Sequence, residues 1–153
     1  MPDEQRVVVA TGELDAPAAA VFELIADPAR QPDWDGNDNL AHADLGQRVR
    51  AVGDVFTTTL TIGVVRENHV VEFTEGRLLA WMPAEPGGPP VGHLWRWEVE
   101  SLEGGRSRVI HTYDWTRLED PGRVERARWT TPDRLRASID GLARVAERPG
   151  PVR

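Results

Sequence analysis

Apolar and polar residues alternate with period two in two stretches of this chain, and the alternation predicts half-buried strands. The first is Gly92-His93-Leu94-Trp95-Arg96-Trp97-Glu98-Val99-Glu100. The second, beyond a Gly104-Gly105 turn, is Arg108-Val109-Ile110-His111-Thr112-Tyr113-Asp114-Trp115. Paired as a hairpin, they put His93, Trp95, Trp97, Val99, Val109, His111, Tyr113 and Trp115 on one face. The other face carries Arg96, Glu98, Glu100, Thr112 and Asp114, with Arg96 and Asp114 expected to pair. A three-residue loop would set Trp97 opposite His111 and Trp95 opposite Tyr113. A sheet face serving only as core would more often use Val, Ile and Leu. Rings interleaved with His and Tyr point to a lined cavity for an organic ligand, or to an ordinary core with internally satisfied polar atoms.

The same reading along the chain predicts a first strand over Val7 to Leu14. Asp15 is a good N-cap, Pro17 suits a first helical turn, and Val21, Phe22 and Ile25 form an apolar stripe. That helix should stop before Asp27-Pro28, and Gln31-Pro32-Asp33-Trp34-Asp35-Gly36 should interrupt the chain again. Strands follow at about Leu40 to Leu45, Val55 to Ile62, Val64 to Phe73 and Leu78 to Met82. Phe56, Leu60 and Ile62 mark the inner face of the second of these. Ala84 to Gly92, with three prolines and three glycines, is too loop-like for a sheet. Arg117 to Thr131 is charged and irregular, with a short helical piece near Val124. Thr131-Pro132-Asp133 starts a long helix running to about Arg148, where Pro149-Gly150-Pro151 ends it. Its stripe is Leu135, Ile139, Leu142 and Ala146, and Gly141 projects away from it.

Composition narrows the class. A chain of 153 residues, 40% hydrophobic and 28% charged, suits one soluble globular domain. No run approaches the ~20 apolar residues of a membrane span, and the N-terminus shows no secretory pattern. There is no cysteine, so disulfides, thiolate nucleophiles and cysteine metal sites are excluded. A cytoplasmic location is the default expectation. All 18 basic residues are arginine and the net charge is −7, a poor balance for binding nucleic acid or anionic membranes. Arg123 to Arg136 reads as a solvated face. If it bordered a pocket entrance, it would attract an acidic ligand.

The familiar catalytic signatures are missing: no Gly-x-Ser-x-Gly, no phosphate-binding loop, no His-Glu-x-x-His and no Gly-x-Gly-x-x-Gly. His42, His69, His93 and His111 lack ligand-type spacing, and neither a metal nor a cofactor is expected. His111 and Tyr113 are the candidate catalytic pair. An imidazole near neutrality can move a proton, and a phenol can hold an enolate-like oxygen.

Several further segments carry a resemblance. They are Ala16-Pro17-Ala18-Ala19-Ala20-Val21-Phe22, Ala26-Asp27-Pro28, Pro32-Asp33-Trp34, Gly53-Asp54-Val55-Phe56, Leu79-Ala80-Trp81 and the hairpin ending Tyr113-Asp114-Trp115. With the order strand, helix pair, antiparallel strands, long helix, the chain from about Val7 to Arg148 resembles the SRPBCC superfamily. These are START-like helix-grip proteins that include the polyketide cyclase/dehydrase type. The resemblance implies an α+β fold in which a curved antiparallel sheet wraps a long C-terminal helix around a hydrophobic cavity. The inner hairpin face would then oppose Leu135, Ile139 and Leu142, with the 84–92 loop and Trp34 near the mouth. Trp34 would otherwise be a core plug. Expected ligand-binding residues are Phe56, Trp81, Trp95, Trp97, His111, Tyr113, Leu135, Ile139 and Leu142. The expected function is binding of a small hydrophobic, aromatic or polycyclic molecule by a monomer or homodimer. Two alternatives stay open: a polyketide cyclase, aromatase or dehydratase using His111 and Tyr113, and a protein-interaction module whose core the tryptophans fill.

Overall fold

The period-two segments form one seven-stranded antiparallel sheet in a computed structural model that describes residues 4–147. In chain order the elements are β1 (Val7–Leu14), α1 (Ala18–Ala26), a 3-10 turn (Pro28–Arg30), α2 (Gln31–Trp34) and β2 (Leu40–His42). There follow β3 (Val55–Leu60), β4 (Val65–Thr74), β5 (Leu78–Ala84), β6 (Leu94–Leu102), β7 (Arg106–Asp114), α3 (Pro121–Ala127) and α4 (Pro132–Ala146). The strands lie in the order β1-β7-β6-β5-β4-β3-β2. A bulge between Val70 and Glu72 in β4 helps curve the sheet. Its concave face grips α4, so the architecture is the helix-grip α+β fold. Among the described residues no helix is long and apolar enough to cross a membrane.

The aromatic hairpin forms in the anticipated register, with Trp97 opposite His111 and Trp95 opposite Tyr113. Its loop, Glu103–Gly105, puts Gly104 at φ 74°, a left-handed conformation that glycine adopts without a Cβ clash. Thr131 caps α4, accepting from the Arg134 N–H at 3.4 Å. Pro132 then occupies the first turn, where its missing N–H costs nothing. The short piece near Val124 is α3, capped by Asp120 through the Arg123 N–H at 3.0 Å.

Several local expectations are corrected. Asp15 does not cap α1, whose N-cap is Pro17 without a side-chain bond. Asp15 instead accepts from Arg106 at 2.7 Å and gives its N–H to Glu147 at 2.8 Å, tying β1 to β7 and to the end of α4. β3 ends at Leu60, leaving Ile62 in the turn and 70% exposed, while Thr58 takes the inner place beside Phe56. Arg96 pairs with Glu72 at 2.9 Å and Glu98 at 2.6 Å, not with Asp114. Register explains this: Glu72 faces Ala80 and Ala80 faces Arg96, so two long side chains meet over a methyl group. Asp114 caps the Thr116 N–H at 2.9 Å. β5 runs on through Pro83 because β6 stops pairing at the Trp81–Trp95 step and asks no N–H of the proline. α4 ends at Ala146, while Arg148 and the Pro149-Gly150-Pro151 stop lie outside the described residues.

Gly141 projects away from the apolar stripe, as its spacing implies, and on that side it meets the α2 region. It is buried, and a Cβ there would lie 2.0 Å from the Trp34 carbonyl oxygen. A Cβ at Gly36 would lie 2.3 Å from the Ala137 carbonyl oxygen, so glycine on each side lets the α2 region touch α4 backbone to backbone. On the sheet side, a Cβ at Gly12 would come within 2.7 Å of Ile139 Cγ2. Around this contact Leu14, Val21, Ile25, Leu79, Val109 and Leu142 are fully buried. The helix is therefore clamped on two faces.

Candidate functional site

A cavity of about 340 Å³ lies between the inner sheet face, α2, α3 and the first turns of α4. β5 and β6 pair only from Leu78–Glu98 to Trp81–Trp95 and separate beyond, with Pro83 and His93 lining the space near that divergence. The wall is an aromatic ladder built by the hairpin register. Trp97 stacks on His111 at 3.5 Å between centroids with 10° between planes, and Trp95 meets Tyr113 at 4.2 Å. Trp34 supports Trp97 edge-on at 5.2 Å, and its indole N–H donates to the Leu24 carbonyl at 2.7 Å. Trp34 is thus buried as a plug beneath the helix pair, with its other side on the cavity.

The polar atoms of the wall are held in place. His111 Nδ1 lies 3.1 Å from the Arg96 carbonyl, which can only accept, so Nδ1 carries the proton. The Nε2 atom is then an acceptor. Burial pushes His111 down to about 3, and only the bond to Arg96 opposes it. Burial pushes the Tyr113 phenol up to about 12 against the pull of the Arg126 charge. His93 falls to about 4 through burial first, then the charges of Arg123, Arg66 and Arg126. Near neutral pH the wall therefore offers neutral imidazoles and an un-ionised phenol. On β4, Asn68 donates to the Phe56 carbonyl at 3.2 Å and to Thr58 Oγ1 at 3.1 Å, which uses both amide hydrogens.

Of the residues singled out from sequence, the fold brings Trp81, Trp95, Trp97, His111, Tyr113 and Leu135 together around the cavity. Phe56, Ile139 and Leu142 are not in its lining. Phe56 packs behind Trp81 at 5.3 Å, Ile139 is spent on Gly12, and Leu142 is fully enclosed. The 84–92 loop contributes no lining residue, although Glu85 meets Arg123 at 2.8 Å. Trp115 is buried away from the cavity, under the Arg6 guanidinium at 4.5 Å. Sequence reasoning missed Asn68, Arg66 and Trp129, the last 64% exposed at the lip, whereas Arg126 and Arg134 belong to the Arg123 to Arg136 segment, read as a solvated face unless it bordered a pocket. Asn68 carried a signal, because amides are depleted within strands. Arg66 carried none that distinguishes it from a surface charge. Among the described residues no three His, Asp or Glu side chains gather as a metal site would require.

Sheet, gripped helix and aromatic-lined cavity define a START-like helix-grip domain. The chain belongs to the family described as polyketide cyclase / dehydrase and lipid transport, whose model matches residues 5–147. Its sequence is 32% identical over 106 residues to the uncharacterized protein Rv0088 of Mycobacterium tuberculosis, covering 67% of this chain and 45% of that one. The chain thus spans less than half the length of that relative. Among solved structures, a START superfamily protein from Mycobacterium smegmatis superposes with a TM-score of 0.67 at 15% identity, covering 94% of this chain and 98% of that one. Protein MLL2253 from Mesorhizobium loti superposes with a TM-score of 0.68 at 14% identity, covering 93% and 97%. At such identities the likeness concerns the fold.

Proposed function

We propose that this protein binds a small, flat, largely hydrophobic molecule, aromatic or polycyclic, in the cavity between the sheet and α4. One observation carries the reading: five of the six tryptophans border the cavity, yet about 340 Å³ stays open between them. The rings line the space without filling it, and a volume of this order lies at the small end of drug-sized sites. Trp81, Trp95 and Trp97 would supply the faces. His111 Nε2 as acceptor and the Tyr113 hydroxyl as donor would orient the bound molecule.

The protonation states favour binding over acid–base catalysis. A base with a pKa of about 3 and an acid of about 12 are both poorly matched to proton transfer near neutrality. A cyclase or dehydratase reading would use Tyr113 as a hydrogen-bond donor to a developing enolate rather than as a proton shuttle.

The test is intrinsic tryptophan fluorescence titrated with flat aromatic and fatty probes, alongside thermal unfolding. Saturable quenching with matching stabilisation is expected, because a ligand that prefers the folded state must raise its stability. A well-folded sample that responds to no probe would return the cavity to the status of a packing defect.

A further inference from the structure

The formal charge of the chain is −7, yet the cavity lining gathers four arginines and a single acidic residue. Arg66 comes from β4, Arg123 and Arg126 from α3, and Arg134 from α4. The acidic residue, Asp35, is already committed. Its Oδ1 accepts from the Asn37 N–H at 3.2 Å, and its Oδ2 from those of Asn39 and Leu40 at 2.6 and 2.7 Å. Arg123 is paired with Glu85, which lies outside the lining. Arg66, Arg126 and Arg134 form no ion pair among the described residues.

Such convergence works against the empty protein. Arg123 and Arg126, three residues apart on one helix face, repel each other. Burial first, and then the charges of Arg123 and Arg126, lower the Arg66 pKa. The same three arginines depress His93, so their field reaches the cavity wall. A like-charged cluster beside an apolar, partly desolvated space is an attractor for an anion.

We propose that the ligand is an amphipathic organic acid whose ring or acyl body lies against Trp81, Trp95 and Trp97 while its carboxylate sits at the mouth among Arg66, Arg126 and Arg134. This rests on the reading of the cavity as a ligand site and specifies the chemistry it selects. Guanidinium groups suit the task, since their planar fork matches two carboxylate oxygens. The exposed Trp129 ring at the lip would cover the entering body. The net negative charge elsewhere does not oppose this, because screening confines exposed charges to roughly 8 Å at physiological salt.

The experiment compares matched probes: 2-naphthoate, 2-naphthamide and 2-naphthylmethylammonium, with dodecanoate and dodecanol as an acyl pair. Each is titrated by tryptophan fluorescence and checked by thermal shift. The acid is expected to bind about tenfold more tightly than the amide at low salt, with the ammonium weakest. High salt should erode that preference, and so should the combined variant Arg66→Gln, Arg126→Gln and Arg134→Gln. Arg126 and Arg134 are exposed, and the melting curve of the variant verifies that it folds. Equal binding of acid and amide would overturn the anion inference while leaving the cavity a ligand site. An acid preference that survives the triple variant would overturn its assignment to these arginines. Failure of every probe, in a folded sample, would overturn the cavity reading and the inference together.

Discussion

The two ends of α4 meet the sheet in opposite ways. Toward its C-terminal end, Ile139 fills the space above Gly12 and Leu142 is enclosed with Leu14 and Val109. Glycine is used there to bring backbones together, and aliphatic side chains close the gap to interior density. At the N-terminal end Leu135 faces rings that stand on neighbouring strands and leave a cavity. Stacking explains why they do not collapse. Trp97 is locked between His111 and Trp34, Trp81 against Phe56, and Trp95 against Tyr113. Each large ring is held by a neighbour beside it in the wall, so none is free to rotate into the space. One helix therefore carries a close-packed half and a cavity-lining half.

That division can be attacked most directly at Gly141. Gly141→Ala would place a methyl 2.0 Å from the Trp34 carbonyl, and neither backbone can give way without moving the helix. A loss at or above the upper end of the ~1–3 kcal/mol that overpacking usually costs is expected, measurable by urea denaturation. A variant as stable as the parent would show that α2 and α4 are not clamped.

Leu142→Ala comes next, at about 2–5 kcal/mol for a fully buried leucine. Probe affinity measured well below the melting point should be unchanged, since Leu142 is not in the lining. A large change in affinity would mean that the two halves are coupled.

Acid should destabilise the cavity half. The native pKa values of His111 and His93, about 3 and about 4, lie below the 6.5 of an unfolded histidine. Between those values the unfolded chain binds protons that the native chain refuses, so stability falls as pH drops below about 6.5. His111→Gln, which can still donate to the Arg96 carbonyl, should make that decline shallower. Melting temperatures of both proteins from pH 7 to pH 4 would show it, and parallel curves would contradict it.

The smallest stability change is expected at Trp95, which is only half-buried. Trp95→Ala should cost less than the ~3–5 kcal/mol typical of a core tryptophan. Its effect on probe binding should be larger, about tenfold or more, because one aromatic face of the cavity disappears. Trp97 makes a poorer test, since its removal would also strip Trp34 and His111 of their partner.

Much of this was legible before any coordinates. Alternation in β6 and β7 and the Gly104-Gly105 turn contained the register that sets Trp97 on His111, because side-chain period and loop length are local quantities. The start of α4 was equally readable from Thr131-Pro132, and the stripe of Leu135, Ile139 and Leu142 is buried as its spacing required. Periodicity says which face is buried but not what it meets. Hence Leu135 reached the cavity while Ile139 and Leu142 did not, although all three belong to one stripe.

Family, strand pattern, hairpin register and aromatic inner face were all written in the order of residues along the chain. Those depend on neighbours near in the chain and on residue types. It took the tertiary structure to show that tryptophans border an open space, that Gly141 receives the Trp34 backbone, and that Arg66, Arg126 and Arg134 line one cavity. These are relations between residues dozens of positions apart. They arise when the sheet curves around the helix, and no local spacing encodes that curvature.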